Sequence, residues 1–357
     1  MAHIFRIGIS SDFKVDAAGQ IPPVLAQLID PLPNVEYSYY EQTGTDEQGP
    51  YLTAGDIADY DALLVLNSRI TAATFAGLDR LSVIARWGVG YDKIDVPACT
   101  ANDVVLAITV DAVRRPVAEA VITLLLALAK CLPAKDKVVR TGRWELRGAA
   151  PAVGLRGKVL GSIGLGNIGS EVFRLAAPFG FGRLLAADPY ADAAHAAELG
   201  VELVDVETVF RESDFVTINA FLSEDTHHMV NAAQLARMKP TAYLINTSRG
   251  PLVNQNDLVA ALEAGHLAGA GLDVFEEEPL PADHPLTRME NVILSPHSLA
   301  WTDDLYRDNG MGACESILSV FQGNAPKYPV NRDVLDRSGF QARLAQNQAR
   351  WAAAIPS

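Results

Sequence analysis

A strand-like run, Val159-Leu160-Gly161-Ser162-Ile163, opens straight into Gly164-Leu165-Gly166-Asn167-Ile168-Gly169, after which Val172, Phe173, Leu175, Ala176 and Phe179 recur with helical spacing. Few folds accept that order. Gly164 permits a tight turn, Gly166 lets an anionic ligand approach the backbone, and Gly169 lets the helix pack on the strand. The first helical turn then offers unpaired N–H groups to negative charge. A second strand-like run, Leu184 to Ala187, ends at Asp188, which lies 188 − 169 = 19 residues past the last glycine. An acid at that distance is placed to read the ribose hydroxyls of a dinucleotide such as NAD. The alternative is a glycine-rich turn followed by an unrelated strand-end acid.

Three more apolar runs, Ala242 to Ile245, Ala268 to Leu272 and Val292 to Leu294, read as buried strands, and each delivers reactive side chains at its end. The segments are Asn246-Thr247-Ser248-Arg249-Gly250, Leu272-Asp273-Val274-Phe275-Glu276-Glu277-Glu278-Pro279, and Ser295-Pro296-His297. In a doubly wound sheet, residues just past strand ends converge on one crevice. An arginine, a carboxylate and a histidine gathered there suit a 2-hydroxy or 2-oxo acid. Arginine grips the carboxylate in a bidentate fork and polarises the carbonyl. Histidine exchanges the proton, and a neighbouring carboxylate favours its charged form.

Together with Arg86-Trp87-Gly88-Val89-Gly90-Tyr91-Asp92 and Val117-Ala118-Glu119, these motifs carry a family likeness. Their spacings agree with it: 273 − 249 = 24 and 278 − 273 = 5. Up to about Val330 the chain resembles the D-isomer-specific 2-hydroxyacid dehydrogenase family. The resemblance implies an α/β protein of two doubly wound parallel-sheet domains with a cleft between them. A Rossmann NAD domain would span 113–299, and a flavodoxin-like substrate domain would combine 1–112 with 300–357. Helices near Pro116 to Leu132 and Thr302 to Phe321 would cross between the two.

The resemblance also implies roles. Hydride would pass between nicotinamide C4 and a D-2-hydroxy or 2-oxo acid, as in glyoxylate or hydroxypyruvate reductases. Gly164, Gly166, Asn167, Ile168 and Gly169 would hold the pyrophosphate and Asp188 the ribose. Ala220, Thr226, Thr247, Ser248, Arg249, Asp273 and His297 would line the remaining cofactor site, with Asp273 at the carboxamide or tuning the site. The N–H groups of Val89 and Gly90 would grip the substrate carboxylate opposite Arg249, with His297 at the reacting carbon. Glu278, five residues past Asp273 and just before Pro279, is singled out as the partner of His297. Glu276 and Glu277 are expected to be solvated, and His227, His228 and His284 to be ordinary loop histidines. Asp188 is followed by Pro189 with no adjacent arginine, which favours NAD over NADP because a carboxylate repels a 2′-phosphate.

Departures from the family pattern fall around the substrate. Asp111-Ala112-Val113-Arg114-Arg115-Pro116 precedes Val117, and Pro116 fits a first helical position. Arg114 and Arg115 are expected at a surface or interface; the alternative has one of them reach a second anionic group on the substrate. Ser298-Leu299-Ala300-Trp301 and Phe221 make the pocket wall bulkier than usual.

Composition bounds the alternatives. At 357 residues, with 49% hydrophobic and 20% charged content, the chain suits a two-domain globular enzyme. A net charge of −14 argues against a nucleic-acid surface. Three scattered cysteines, Cys99, Cys131 and Cys314, suggest reduced thiols in a cytoplasmic setting, and no metal-ligand spacing appears. Met1 to Arg6 shows no signal-peptide layout, and the apolar run Ala120 to Ala129 falls short of the roughly 18 residues of a membrane span. A homodimer is the family expectation. Phe340, Leu344, Trp351 and Ile355 form an apolar stripe at helical spacing, expected to pack on the substrate domain or a partner subunit. Two other functions share the fold: a formate dehydrogenase, against which Glu278 argues, and a non-catalytic NAD-sensing corepressor or scaffold.

Overall fold

The structure is a computed structural model that describes residues 4–15, 19 and 21–354. The chain divides into two compact units, one of residues up to Val113 together with those from Thr302 on, the other Arg114–Trp301.

The first unit is built on strands β1 (Phe5–Ser10), β2 (Val35–Tyr40), β5 (Ala62–Val65), β6 (Val83–Arg86) and β7 (Val105–Ala107), with a small hairpin of β3 (Gly44–Asp46) and β4 (Gly49–Tyr51). The main sheet is parallel throughout, in the order β2-β1-β5-β6-β7. Strand β5 is buried at every residue, as a strand covered on both faces must be. The period of two shows in its packing. Ala62 and Leu64 join a core with Phe5, Ile7, Ile317 and Phe321, while Leu63 and Val65 join another with Ile84, Cys99 and Leu106.

The helix Asp303–Phe321 begins as its sequence suggests, with the Thr302 hydroxyl accepting the Leu305 N–H and Asp303 and Asp304 in the first turn. The terminal helix, Ser338–Ala354, packs on this unit: Phe340 and Leu344 are buried, and Trp351 meets Phe321 edge-on. Arg350 adds two bonds to the buried Asp61 at 2.9 and 3.1 Å. Ile355, the last position of the expected stripe, lies outside the described residues, as do Met1 to His3.

The second unit carries β8 (Val159–Ile163), β9 (Arg183–Ala187), β10 (Glu202–Leu203), β11 (Phe215–Ile218), β12 (Tyr243–Asn246), β13 (Gly269–Leu272) and β14 (Val292–Leu294). These form one parallel sheet in the order β10-β9-β8-β11-β12-β13-β14. The order reverses between β8 and β11, the switch point where doubly wound sheets open a crevice beyond their strand ends. Both units are therefore doubly wound α/β structures.

Pro116 does not start a helix. It lies inside the helix Val110–Ala129. Its ring costs one backbone bond to the preceding turn, and burial of Ala118, Val121, Leu125 and Leu128 at helical spacing outweighs that loss. No single described helix is long and apolar enough to cross a membrane. This helix and the next, Leu132–Arg140, reach that length and apolarity only as a pair, and the pair is bent by 60°. All three cysteines are free thiols.

Candidate active site

Glycine geometry prepares the first strand end of the second unit. Gly164 holds φ +96°, and a Cβ there would stand 2.7 Å from the Asn219 carbonyl oxygen. A Cβ on Gly169 would stand 2.5 Å from the Gly164 carbonyl, so helix and turn touch through bare backbone. Gly166 instead faces open space and caps the helix Asn167–Ala176, whose first N–H groups include those of Asn167 and Ile168. Asp188 accepts the Leu165 N–H at 2.8 Å through one carboxylate oxygen and the Tyr190 N–H at 2.8 Å through the other. The Ser170 hydroxyl donates to the Leu165 carbonyl at 3.1 Å. Leu165 is thus fixed at both ends of its backbone.

Around that loop, Asn219 donates to the Ser162 hydroxyl at 2.9 Å, yet its own Oδ1 is buried without a protein partner. Thr247 Oγ1 is likewise buried and unpartnered. The orphaned Asn219 oxygen beside an open glycine turn, and that of Thr247 past the end of β12, fit a dinucleotide, which would supply the missing partners. Ser248 is turned inward, donating to the Ile218 carbonyl at 2.7 Å. Beyond Ala220, the Thr226 hydroxyl closes a turn by donating to the Phe221 carbonyl at 2.7 Å and accepting the Ser223 N–H at 2.8 Å. Phe221 is half exposed there.

Arg249 stands at the end of β12. The buried Asn246 side chain braces its turn, donating to the Arg249 carbonyl at 2.9 Å and accepting the Ser248 N–H at 3.0 Å. Gly250 follows because nothing larger fits: a Cβ would overlap the peptide joining Phe275 to Glu276.

Asp273 closes β13 and is 4% exposed. Its carboxylate accepts the Ser295 hydroxyl at 2.6 Å and the N–H groups of Ser298 and Leu299 at 3.1 and 3.2 Å. One acid therefore clamps the chain on both sides of His297. The clamp explains how His297 keeps a left-handed backbone (φ +53°), a conformation that costs a non-glycine residue about 1–2 kcal/mol. Sequence alone did not reveal this role of Asp273, though an acid at a buried strand end signals an internal partner.

Glu278 Oε2 lies 2.8 Å from His297 Nδ1, and its Oε1 accepts the Phe275 N–H at 3.0 Å. Burial raises this carboxyl, but the His297 hydrogen bond and charge, the Phe275 N–H and the Arg249 charge outweigh burial and hold it below the ordinary range.

All three adjacent acids are exposed as whole residues, Glu277 as expected, and Glu276 and Glu278 are set apart by what their carboxylates contact. Glu276 is not simply solvated: its Oε1 lies 2.7 Å from Nε2 of His228 and accepts the Gln255 N–H at 3.0 Å. Arg115 is engaged with Glu119 at 2.6 Å and Glu171 at 3.2 Å, while Arg114 is exposed.

Val89 and Gly90 belong to the first unit, just past β6. Their turn is set by Gly88, at φ +116°, whose N–H donates to Thr109 Oγ1 at 2.8 Å and whose carbonyl accepts the Thr109 N–H at 3.1 Å.

Residues 122–298 match the family described as D-isomer specific 2-hydroxyacid dehydrogenase, NAD binding domain. The chain is 38% identical over 291 residues to a glyoxylate reductase of Korarchaeum cryptofilum, covering 80% of this chain and 87% of that one. It is 36% identical over 310 residues to a D-3-phosphoglycerate dehydrogenase of Methanocaldococcus jannaschii, covering 85% of this chain and 59% of that relative. A solved structure of an NADPH-dependent glyoxylate/hydroxypyruvate reductase from Sinorhizobium meliloti, in complex with NADP and malonate, matches with a TM-score of 0.76. Its identity is 27%, over 91% of this chain and 96% of that one.

Proposed function

This chain belongs to the D-isomer-specific 2-hydroxyacid dehydrogenase family, and from that premise we propose that it interconverts a small 2-oxo acid, of the glyoxylate or hydroxypyruvate kind, with its D-2-hydroxy acid. It is an NAD-dependent oxidoreductase. The observation that carries the proposal is the 2.8 Å contact of His297 Nδ1 with a Glu278 carboxyl held in its ionised form.

A nicotinamide dinucleotide, when bound, would supply hydride for reduction and accept it for oxidation. The remaining work falls to side chains. Arg249 binds the substrate carboxylate and polarises the carbonyl oxygen. Glu278 accepts a hydrogen bond from His297 Nδ1–H and so orients the ring, which leaves Nε2 to give a proton to the carbonyl oxygen in reduction. Oxidation needs the reverse, a neutral His297 that accepts the hydroxyl proton, and so is favoured at higher pH. Asp273 keeps the His297 turn in place through Ser295, Ser298 and Leu299.

For the cofactor, the Asn167 and Ile168 N–H groups would receive the pyrophosphate, and Asp188 the adenosine ribose, its charge favouring NAD over NADP. Thr247 and Asn219 would satisfy their buried oxygens on the same ligand. The family relatives named glyoxylate reductase support the small substrate.

A homodimer in a reducing compartment is part of the same proposal. Leu132, Val139 and Trp144 are exposed on and beside the helix Leu132–Arg140, which buries none of its residues. The free thiols support the compartment.

The test is NADH oxidation with glyoxylate, hydroxypyruvate, pyruvate, branched and aromatic 2-oxo acids, and phosphorylated analogues. Turnover fastest with glyoxylate or hydroxypyruvate is expected. Activity confined to phosphorylated or aromatic acids would overturn the substrate class, and no activity on any would overturn the reaction. Light scattering at several concentrations tests the dimer.

A further inference from the structure

We propose that Glu276 and His228 are a positioning pair that locks the turn carrying Glu278 to the turn carrying Arg249. The inference rests on the roles proposed above for Arg249, Glu278 and His297.

Two acids of one short turn are anchored in opposite directions. Glu278 faces His297, whereas Glu276 faces His228 at 2.7 Å. The Glu276 anchor is double. Its carboxylate accepts the Gln255 N–H at 3.0 Å, and its own N–H donates to Gln255 Oε1 at 3.2 Å. Gln255 opens the helix Gln255–Glu263, so the carboxylate also sits at a helix N-terminus that favours negative charge. The side chains of His228 and Glu276 are 34% and 28% exposed, shielded more than a pair fully in solvent.

His228 is held as firmly. Its N–H donates to the Pro251 carbonyl at 2.8 Å, and its carbonyl accepts Asn231 Nδ2 at 3.1 Å. Its ring lies against His227, centroids 3.9 Å apart. Its backbone is left-handed, at φ +51°, a conformation uncommon outside glycine. Pro251 is two residues beyond Arg249, and Gly250 between them rests on the Phe275–Glu276 peptide. The Arg249 turn is therefore gripped from one side by His228 and from the other by the backbone next to Glu276. The Glu276–His228 contact closes that ring.

Arg249 and the His297–Glu278 pair must address one small substrate together, and a misplacement of about 1 Å can cost about 10²-fold in rate. A ring that fixes the two turns relative to each other acts on that distance. Neither Glu276 nor His228 needs to touch substrate or cofactor.

The experiment compares Glu276→Ala, Glu276→Gln, His228→Asn and the double variant Glu276→Ala/His228→Asn, with His297→Ala as control. Asparagine tolerates the left-handed backbone but is too short to reach Glu276. Readouts are kcat and KM for glyoxylate and hydroxypyruvate, the NADH Kd by fluorescence, and the Tm. Glu276→Ala and His228→Asn should each lower kcat about tenfold with the NADH Kd changed less than about twofold. Glu276→Gln, which keeps an oxygen acceptor, should recover to within about threefold of the parent enzyme. The double variant should be no slower than the slower single variant, since both break one link. Unchanged kcat in His228→Asn, or additive losses in the double variant, overturns the pair. A rise in NADH Kd that accounts for the lost rate also overturns it. Full activity in His297→Ala would instead sink the underlying reading of the site and leave the two failures distinguishable.

Discussion

Glu278 Oε2 stands 2.8 Å from Nδ1 of His297, while its second oxygen is already committed to the Phe275 N–H. The carboxylate can therefore neither rotate away nor choose another partner without losing a backbone bond. Glu278→Gln keeps the size and removes the charge that faces His297 Nδ1. The kcat/KM for reduction of the 2-oxo acid should fall about tenfold or more, because His297 loses the charged partner that orients it. Glu277→Gln, at the exposed neighbour, should leave the kcat/KM profile unchanged. Superimposable profiles for both variants would mean another group orients His297.

The same carboxyl ties stability to pH. Its folded pKa is depressed from an ordinary value of 4.5. A depressed acid contributes stability above its unfolded pKa, and that contribution fades as pH falls through the folded value. The Tm difference between the parent chain and Glu278→Gln should thus be steady at pH well above the ordinary value of 4.5 and shrink as pH falls below it. With the side chain 37% exposed, solvent screening keeps the effect small. A gap that widens on acidification would contradict the sign.

His297→Ala should reduce turnover by about 10²–10⁴-fold, the usual worth of positioned proton transfer. NADH binding should survive, because the ring is engaged by Glu278 and not by the glycine turn. Near-parental rates would remove His297 from the mechanism.

Asp273→Ala tests the clamp. It leaves the Ser298 and Leu299 N–H groups and the Ser295 hydroxyl without their shared acceptor, at about 1–3 kcal/mol for each group that stays buried and unpaired. Denaturant unfolding should show a loss in that range, with kcat falling because the left-handed His297 relaxes. Asp273→Asn retains one oxygen and should recover part of both. Equal stability in parent and Ala variant would show that the loop holds itself.

Where strands are buried on both faces, the sequence announces them, because a continuous apolar run has few other uses. Ala62 to Leu66, Val83 to Arg86 and Ala268 to Leu272 were legible for that reason, and so was the helical stripe of Phe340 and Leu344. Val292 to Leu294 reads as a buried strand too, yet it is only half-buried because it lies at the sheet edge. The hairpin Gly44–Asp46 with Gly49–Tyr51 was not, since its strands are three residues long and one contains Pro50. Glu202–Leu203 is a two-residue edge strand, exposed at both positions, with no apolar pattern to read. Pro116 misled because a local rule about helix starts was overridden by packing further along the same helix. The contacts of Glu276 with His228 and of Asp273 with Leu299 link distant residues, across 276 − 228 = 48 and 299 − 273 = 26 positions. No spacing rule reaches that far; only the sheet order brings such strand ends together.

Asp188 has two duties that a single substitution would confuse. Its charge opposes a 2′-phosphate, which by itself predicts that Asp188→Ala should gain NADPH binding. Yet the carboxylate also holds the Leu165 N–H at 2.8 Å and the Tyr190 N–H at 2.8 Å, bracing the glycine loop proposed to hold the pyrophosphate. Hydrogen bonds to a charged group contribute about 1.5–3 kcal/mol, or about 10–150-fold in affinity if the loop must be reordered on binding. Asp188→Ala should therefore weaken NADH binding by about that factor while NADPH binding gains little, so the preference narrows through loss on one side. Asp188→Asn keeps an oxygen for Leu165 and drops the charge, so it should bind NADPH better than Asp188→Ala does. Fluorescence Kd values for both cofactors in the three proteins decide the matter. Unchanged affinities in Asp188→Ala would refute both duties, and equal NADPH affinity in the two variants would refute the brace alone.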